Sequence, residues 1–410
     1  MISSTKKIAS PKIRIDLEPF QYNDQNGNIY VSLKDPLQLS DNRILIPQDL
    51  FYLVQYFDGQ HSINELRETY SSKFKKELQV TRLAKLIKKL DQSFLLDNDR
   101  SLAKTRQIRR KFAEQKVRTA ACAGSSYPES PAEFEATMRQ LLLQAGNDVA
   151  IRDTVKNKSI KAIIAPHIDP RLGGHVYAST YQALLAANQA DIYVILGISH
   201  QPTKNLFALT KKDFQTPVGL VQTETEFVEK LLEKNKIDYL EDELVHRDEH
   251  SIEFQTLFLK HSLETDFRIV PILASFSHIR SGVESEQLAD FIHSLKSTAL
   301  EYPRSVCIIA SVDFAHIGPL YGDAVEPDPF LLSKVEQFDK SILEALDRRN
   351  VDDFERLFSN SSNKYNICGY PALRTLLEVT PYSQTHLINY DNAIMDDHRS
   401  TVTFAGMIFI

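Results

Sequence analysis

Residues 161–167, KAIIAPH, form an apolar, β-branched run that stops abruptly on His167. Four consecutive apolar residues between a lysine and a proline fit a strand covered on both faces, as in parallel sheets. The pattern recurs twice. Tyr193–His200 (YVILGISH) ends on His200, and Val306–Ser311 (VCIIAS) leads into Asp313 and His316. In an open α/β sheet, ligands occupy the crevice beyond the carboxyl ends of the strands. Three such strands aim three imidazoles and a carboxylate at one edge, which outlines a metal or acid–base site.

Outward from these runs, strand and helix patterns alternate from Ala123 to the end of the chain. Strands are expected near 162–165, 192–196, 206–209, 268–272, 306–310, 385–390 and 401–410. Helices are expected near 131–143, 176–187, 224–234, 249–262, 284–295, 331–348, 351–358 and 371–378. This predicts an α/β fold, a mostly parallel or mixed sheet sandwiched by helices, over residues 121–410.

Residues 11–100 have another texture. A strand over Lys12–Leu17, a turn at Asn26-Gly27-Asn28 and a strand over Ile29–Leu33 suggest a hairpin. Amphipathic helices follow over Pro47–Phe57, Ile63–Lys73 and Thr81–Ser93, with Ser62 and Glu65 at capping-box spacing. Phe94–Leu96 would close the unit as a strand, giving a small α+β winged-helix domain. Residues 101–120 read as a basic linker. Its positive residues (Lys104, Arg106, Arg109, Arg110, Lys111, Lys116 and Arg118) have no interleaved aromatics for stacking on bases, so a solvated helical connector is expected.

A length of 410 residues suits two domains, and 42% hydrophobic with 25% charged residues is ordinary for a globular chain. The net charge of −6 argues against nucleic acid as the main partner. No apolar run approaches the roughly 20 residues of a membrane span, and the N-terminus lacks a signal-peptide core. Three cysteines provide no disulfide framework, so a reducing, cytoplasmic setting is expected.

His167 precedes Ile168-Asp169-Pro170 and the pair Gly173-Gly174, whose prolines and glycines are expected to hold the chain out of regular structure. A histidine on such a loop suits ligation, although a turn histidine with a purely structural bond has the same look. His175 reads as a supporting or structural residue. Gly197 permits close backbone approach just before His200. Ser199 lacks the strained G-x-S-x-G elbow of a serine hydrolase. Asp313 and His316, at i and i+3, would meet on one face of a helical turn and pair for proton transfer.

His250 and Glu253 would share a face of the 249–262 helix and line the crevice, with Asp248 and Glu249 serving as caps. His250 thus joins Asp313 and His316 as a candidate catalytic residue. Cys368, before a helix starting near Pro371, has the setting of a low-pKa thiol. Cys307, inside an apolar strand, is core. Two histidines and a thiolate could hold iron, copper or zinc with positions left open.

The blocks Ala123–Pro128 (AGSSYP), AIIAPH ending at His167, LGISH ending at His200, DEHSIEFQ (248–255), IVPIL (269–273), SVDFAHIG (311–318), ICGYP (367–371) and the closing segment near 400–406 occur in this order. Together they resemble the Memo-like family, related in fold to class III (LigB-type) extradiol dioxygenases. The branch they look most like is AmmeMemoRadiSam system protein B. The resemblance implies metal ligands at His167, His200 and Cys368, with Asp313 and His316 alongside. In the related dioxygenases the third ligand is a carboxylate. Cys368 in that role sets this chain apart from catechol ring cleavage, and IDPRLGGH after His167 departs from the aromatic-and-glycine sequence usual in the family. Residues 11–100 resemble PqqD-like domains, which grip leader peptides, through the "DPL…LS…FDGQHSINEL" pattern of 35–66.

These resemblances imply a non-haem iron or copper redox enzyme acting with a radical SAM partner, with a peptide at the N-terminal domain. Two alternatives remain open at this level: a non-catalytic adaptor that holds a peptide and docks a partner enzyme, and a zinc-type hydrolase.

Overall fold

The computed structural model describes residues 10–24, 27–40, 44–145, 149–263 and 265–410. The chain divides into two compact units, 1–114 and 115–410.

The first unit opens with β1 (Glu18–Asn23), β2 (Ile29–Lys34) and β3 (Leu45–Pro47), an antiparallel sheet in the order β1-β2-β3. The first strand thus lies C-terminal to the expected 12–17. Lys12 and Ile13 make only isolated bridges, to Asp58 and Leu96, and that bridge is all that appears of the closing strand expected at 94–96. Of the expected turn, Asn26 lies outside the described residues, whereas Gly27 takes φ +77° and donates its N–H to Asp24 O. Helices α1 (Gln48–Val54), α2 (Ile63–Phe74), α3 (Val80–Gln92) and α4 (Asp99–Glu114) follow. The Ser62–Glu65 capping box forms at the start of α2. Leu53, Leu66, Leu83 and Leu90 are fully buried in this unit's own core.

The second unit begins with β4 (Val117–Arg118), α5 (Pro131–Gln144), α6 (Val149–Val155), β5 (Ala162–Ala165), α7 (Pro170–Ala186) and β6 (Ile192–Ile198). It continues through β7 (Phe207–Leu209), β8 (Asp213–Thr216), β9 (Gly219–Val221), α8 (Thr225–Glu233), α9 (His250–Ser262) and β10 (Arg268–Ala274). It ends with α10 (Gly282–Glu301), β11 (Val306–Ser311), β12 (His316–Ile317), α11 (Pro329–Asp347), α12 (Val351–Ser361), α13 (Tyr370–Val379), β13 (Thr385–Ile394) and β14 (Thr401–Phe409). The main sheet runs β12-β14-β5-β11-β6-β10-β7, with β13 beside β14. Its centre, β5-β11-β6-β10, is parallel, and β14 and β7 join it antiparallel.

The continuous apolar runs follow from this layering. Along β6, Val194 and Leu196 enter one core with α8, α10, α11, α12 and α13. Tyr193 and Ile195 enter a second core with α5, α7 and α9. A strand whose two faces are both covered has no use for alternating polarity. Helix α7 starts earlier than expected, because Pro170 occupies its first turn, where no N–H is needed, and Asp169 caps it by accepting from Arg171 N. Gly173 and Gly174 therefore lie inside a helix. Gly197 does permit close approach: a Cβ there would stand 2.6 Å from Ser251 Oγ of α9. Among the described residues, no helix is long and apolar enough to cross a membrane.

Candidate metal centre

The ends of β5, β6 and β11 bring the predicted residues to one edge. His167, one residue beyond Pro166, is buried, and its Nδ1 lies 3.0 Å from Ser311 O. A carbonyl only accepts, so Nδ1 carries the proton and Nε2 keeps its lone pair. Burial lowers the basicity of His167 well below the ordinary imidazole value, reinforced by His200 and His250 beside it, so the ring is neutral. Gln255 of α9 fixes this strand end by donating Nε2 to Pro166 O at 2.6 Å and Ser311 Oγ at 2.7 Å.

His200 is held by Glu249. Its Nδ1 lies 3.0 and 3.1 Å from the two carboxylate oxygens, and its backbone N–H donates to Oε2 at 2.9 Å. Glu249 also caps α9 by accepting from Ser251 N, and its Oε1 lies 3.2 Å from His250 Nδ1. One carboxylate thus orients two imidazoles. Burial alone would raise the Glu249 carboxyl, but the charges and hydrogen bonds of His200, with the charge of His250, hold it well below the carboxylate range. Burial would also lower His200, yet Glu249 and the Cys368 contact raise it well above the ordinary value. His250 is lowered, chiefly by burial.

One ligand atom from each of His167, His200 and His250 lies within 4.8 Å of the others. The His200 and His250 rings stack at 4.8 Å, and His167 meets them edge-on at 5.1 and 5.4 Å. Cys368 completes the group, with Sγ 3.3 Å from His167 Nε2. Gly369 lets it approach, since a Cβ there would stand 2.7 Å from Asp313 O. The thiol does not have the lowered pKa expected at a helix start. Burial pushes it up and outweighs the opposing hydrogen bond from His200. Three imidazoles and a sulfur converging with their outer nitrogens tied to acceptors is a donor set that fits a transition metal.

Asp313 and His316 do not form the expected helical pair. Residues 313–316 run alongside β14: Phe314 N donates to Thr403 O, Thr403 N donates to Ala315 O, and His316 pairs with Val402 in β12. Asp313 instead clamps the His167 turn, its Oδ1 accepting from His167 N at 2.9 Å and Ile168 N at 3.2 Å. Its Oδ2 is 3.6 Å from His167 Nε2. Burial pushes the Asp313 carboxyl up to about 7, against those two N–H donors. His316 bonds through Nδ1 to Phe314 O at 3.1 Å, meets the Tyr321 ring at 5.0 Å and is pushed down to about 4 by burial.

Glu253 does not line the crevice with His250. It is fully buried against Arg118 and accepts from Ala121 N, Cys122 N and the Tyr127 hydroxyl. His175 sits apart, its Nε2 2.8 Å from Asp391 Oδ2. Ser199 donates to Gln201 O, so it forms no nucleophile pair with His200. Sequence reasoning missed the second task of Glu249 and the role of Gln255. The signal lay in the eight-residue block 248–255, where a carboxylate, an imidazole and an amide fall at the start of one helix.

Fold and site together define a mixed-sheet α/β protein with a cluster of three histidines and a cysteine at the carboxyl edge of its parallel strands. The profile of the Memo-like protein family matches residues 118–408, and the chain belongs to that family. It is 30% identical to a MEMO1 family protein of Aquifex aeolicus over 407 residues, 97% of this chain and 99% of that relative. A MEMO1 family protein of Methanosarcina barkeri is 28% identical over 298 residues, 71% of this chain and 99% of its own. One from Pyrococcus abyssi is 32% identical over 211 residues, covering 50% of this chain and 67% of the relative.

Proposed function

We infer that the second unit is a metal-binding redox protein holding iron or copper on His167, His200 and Cys368, with His250 in or beside the ligand set. The observation that carries this reading is the tying-down of Nδ1: Ser311 O holds it on His167 and Glu249 holds it on His200, which leaves Nε2 of each free to ligate. A metal bound there would supply a Lewis acid able to change oxidation state. The chain's own residues position the ligands and handle protons. Asp313 fixes the His167 turn, and it and His316 are each assigned proton handling beside the cluster. Burial of His167, Asp313 and Glu249 keeps bulk water from the inner side of the cluster.

The finer assignment rests on resemblance: the AmmeMemoRadiSam B branch, a class III dioxygenase relationship, a cytoplasmic radical SAM partner and a PqqD-like peptide-holding role for the first unit. Elemental analysis of anaerobically purified protein, with electron paramagnetic resonance, tests the central reading. Iron or copper near one per chain is expected, lost in His167→Ala and Cys368→Ala. Zinc alone, or equal metal in parent and variants, overturns it.

A further inference from the structure

A cavity of about 380 Å³ opens beyond the ends of β6 and β10, roofed by the segment that leads into α13. Its wall includes Ser199, Ser275, Phe276, His278, Cys368 and Tyr370. Cys368 belongs to this wall and to the histidine cluster at once, so an occupant would lie against the sulfur face of that cluster. The volume is at the small end of ligand pockets, which run roughly 300–1,000 Å³.

Among the described residues, the lining carries no Lys, Arg, Asp or Glu. Arg280, whose guanidinium lies 5.6 Å from the centroids of the Phe276 and Tyr370 rings, is engaged with a carboxylate. Arg280 Nη2 pairs with Glu355 at 3.1 Å, and Arg374 Nε pairs with the same carboxylate at 2.6 Å. Tyr370 shields them, with its hydroxyl 2.9 Å from both Glu355 oxygens and 2.5 Å from Arg280 Nη1. That hydroxyl is used up in the network, so Tyr370 offers the cavity its ring. Phe276 stands edge-on to it at 5.9 Å and His278 at 6.2 Å. Among the described residues, no hydrogen bond joins the Ser275 hydroxyl or the His278 ring nitrogens to the rest of the chain, whereas Ser199 and Ser277 are bonded to nearby carbonyls.

Resting on the metal-site reading above, we propose that this cavity holds the molecule on which the cluster acts. That molecule is small and uncharged, with a flat apolar part against Phe276 and Tyr370 and a polar group facing Ser275 and His278. Among the lining side chains a carboxylate or phosphate would meet no positive charge and a cation no carboxylate, and the face that the cluster turns to the cavity is the Cys368 sulfur. The lining thus favours a neutral molecule over nucleotides, sugar phosphates and carboxylic acids.

Two probes of one shape test this on the full chain by ligand-observed saturation-transfer NMR: benzamide, which is neutral, and benzoate, which is anionic. Benzamide is expected to bind roughly tenfold more tightly than benzoate. Ser275→Phe, which fills the cavity, should abolish that binding, and His278→Ala should weaken it roughly fivefold with the unfolding temperature unchanged. Benzoate binding as well as benzamide, no binding of either, or benzamide binding indifferent to both variants overturns the proposal. Metal content measured on the same samples keeps the two readings apart. A chain that discriminates the probes but never holds metal loses the functional reading alone, and a metal-loaded chain that does not discriminate loses the cavity.

Discussion

At the scale of single residues, Glu249 is a carboxylate that touches two of the clustered histidines, His200 and His250. Glu249→Gln keeps the shape and the Oε acceptor for Ser251 N but removes the charge opposite His200 and His250. Metal affinity by competition with a chelator should fall roughly 10- to 100-fold with folding intact, the usual loss when a partner of ligating histidines goes. Unchanged affinity would mean that Glu249 is only a cap. A second buried carboxyl lies away from the ligands. Asp339 of α11 is fully buried, and its Oδ2 accepts from Tyr390 at 2.7 Å and Thr403 at 2.6 Å. Burial raises it from 3.8 to about 7, against those hydroxyls. The folded protein therefore keeps this proton to higher pH than the unfolded chain, and stability declines as pH rises through that window. In Asp339→Asn the contribution is gone, so the variant should gain on the parent between about pH 4 and pH 7 in denaturant titrations. Parallel pH profiles for the two proteins would refute this. Placement was readable where the signal is local: strand ends and a pre-helix loop made His167, His200 and Cys368 candidates, and the structure brings the three together. The contact of Asp313 with His167 rather than His316 was not readable. It depends on a segment being recruited to β14, a pairing between residues some ninety apart in the chain.

At the scale of elements, the long apolar strands were legible because burial on both faces removes polar positions, and β5 occupies the expected residues 162–165. The short β8 and β9 were not, since three or four residues with mixed polarity carry no period. The start of α7 was misplaced because proline and glycine punctuate loops in most contexts but serve at a helix first turn and in tight helix packing. Close packing of α9 on β6 depends on Gly197. A Cβ there would also stand 2.8 Å from Ile252 Cγ1 and 3.0 Å from Leu273 Cδ2, and Ser251 Oγ is held by hydrogen bonds with Ile198 N and O that it would lose by turning away. Gly197→Ala should cost roughly 1–3 kcal/mol, the range for overpacked cores. It should also loosen the metal, because the displaced α9 start carries Glu249 and His250. Thermal unfolding with metal analysis checks both. A stable variant with weakened metal would place the strain at the site, and a variant matching the parent in both would show that α9 shifts freely.

At the scale of the whole molecule, the basic segment 101–120 was readable as a polar, helical connector between two units, but not for how the two units share it. Most of it is α4, which belongs to the first unit, and its last residues form β4, which pairs with β8 in the second. The decisive residue is Arg118. Its charge made it look like one more solvated cation, yet it is fully buried, paired with Glu253, and donates to His246 O at 2.9 Å and Glu249 O at 2.7 Å. It therefore anchors the first turn of α9, the element that brings His250 and Glu249 to the cluster. Two truncations only six residues apart should behave differently. Residues 115–410 keep β4 and Arg118, and the Methanosarcina barkeri relative, matched over nearly its full length by 298 residues, shows that a chain of this extent occurs by itself. That fragment should unfold in one cooperative transition and retain the parent's metal per chain. Residues 121–410, cut where composition alone puts the boundary, lose Arg118 with its donations to His246 O and Glu249 O and leave Glu253 only the new terminal amine at Ala121, at a cost of up to roughly 3–5 kcal/mol. The shorter fragment should be less stable by that amount in denaturant and lose metal, and Arg118→Met in the full chain should reproduce both losses. If residues 121–410 match residues 115–410 in stability and metal, Arg118 is not the anchor, and the site stands without the strand that precedes it.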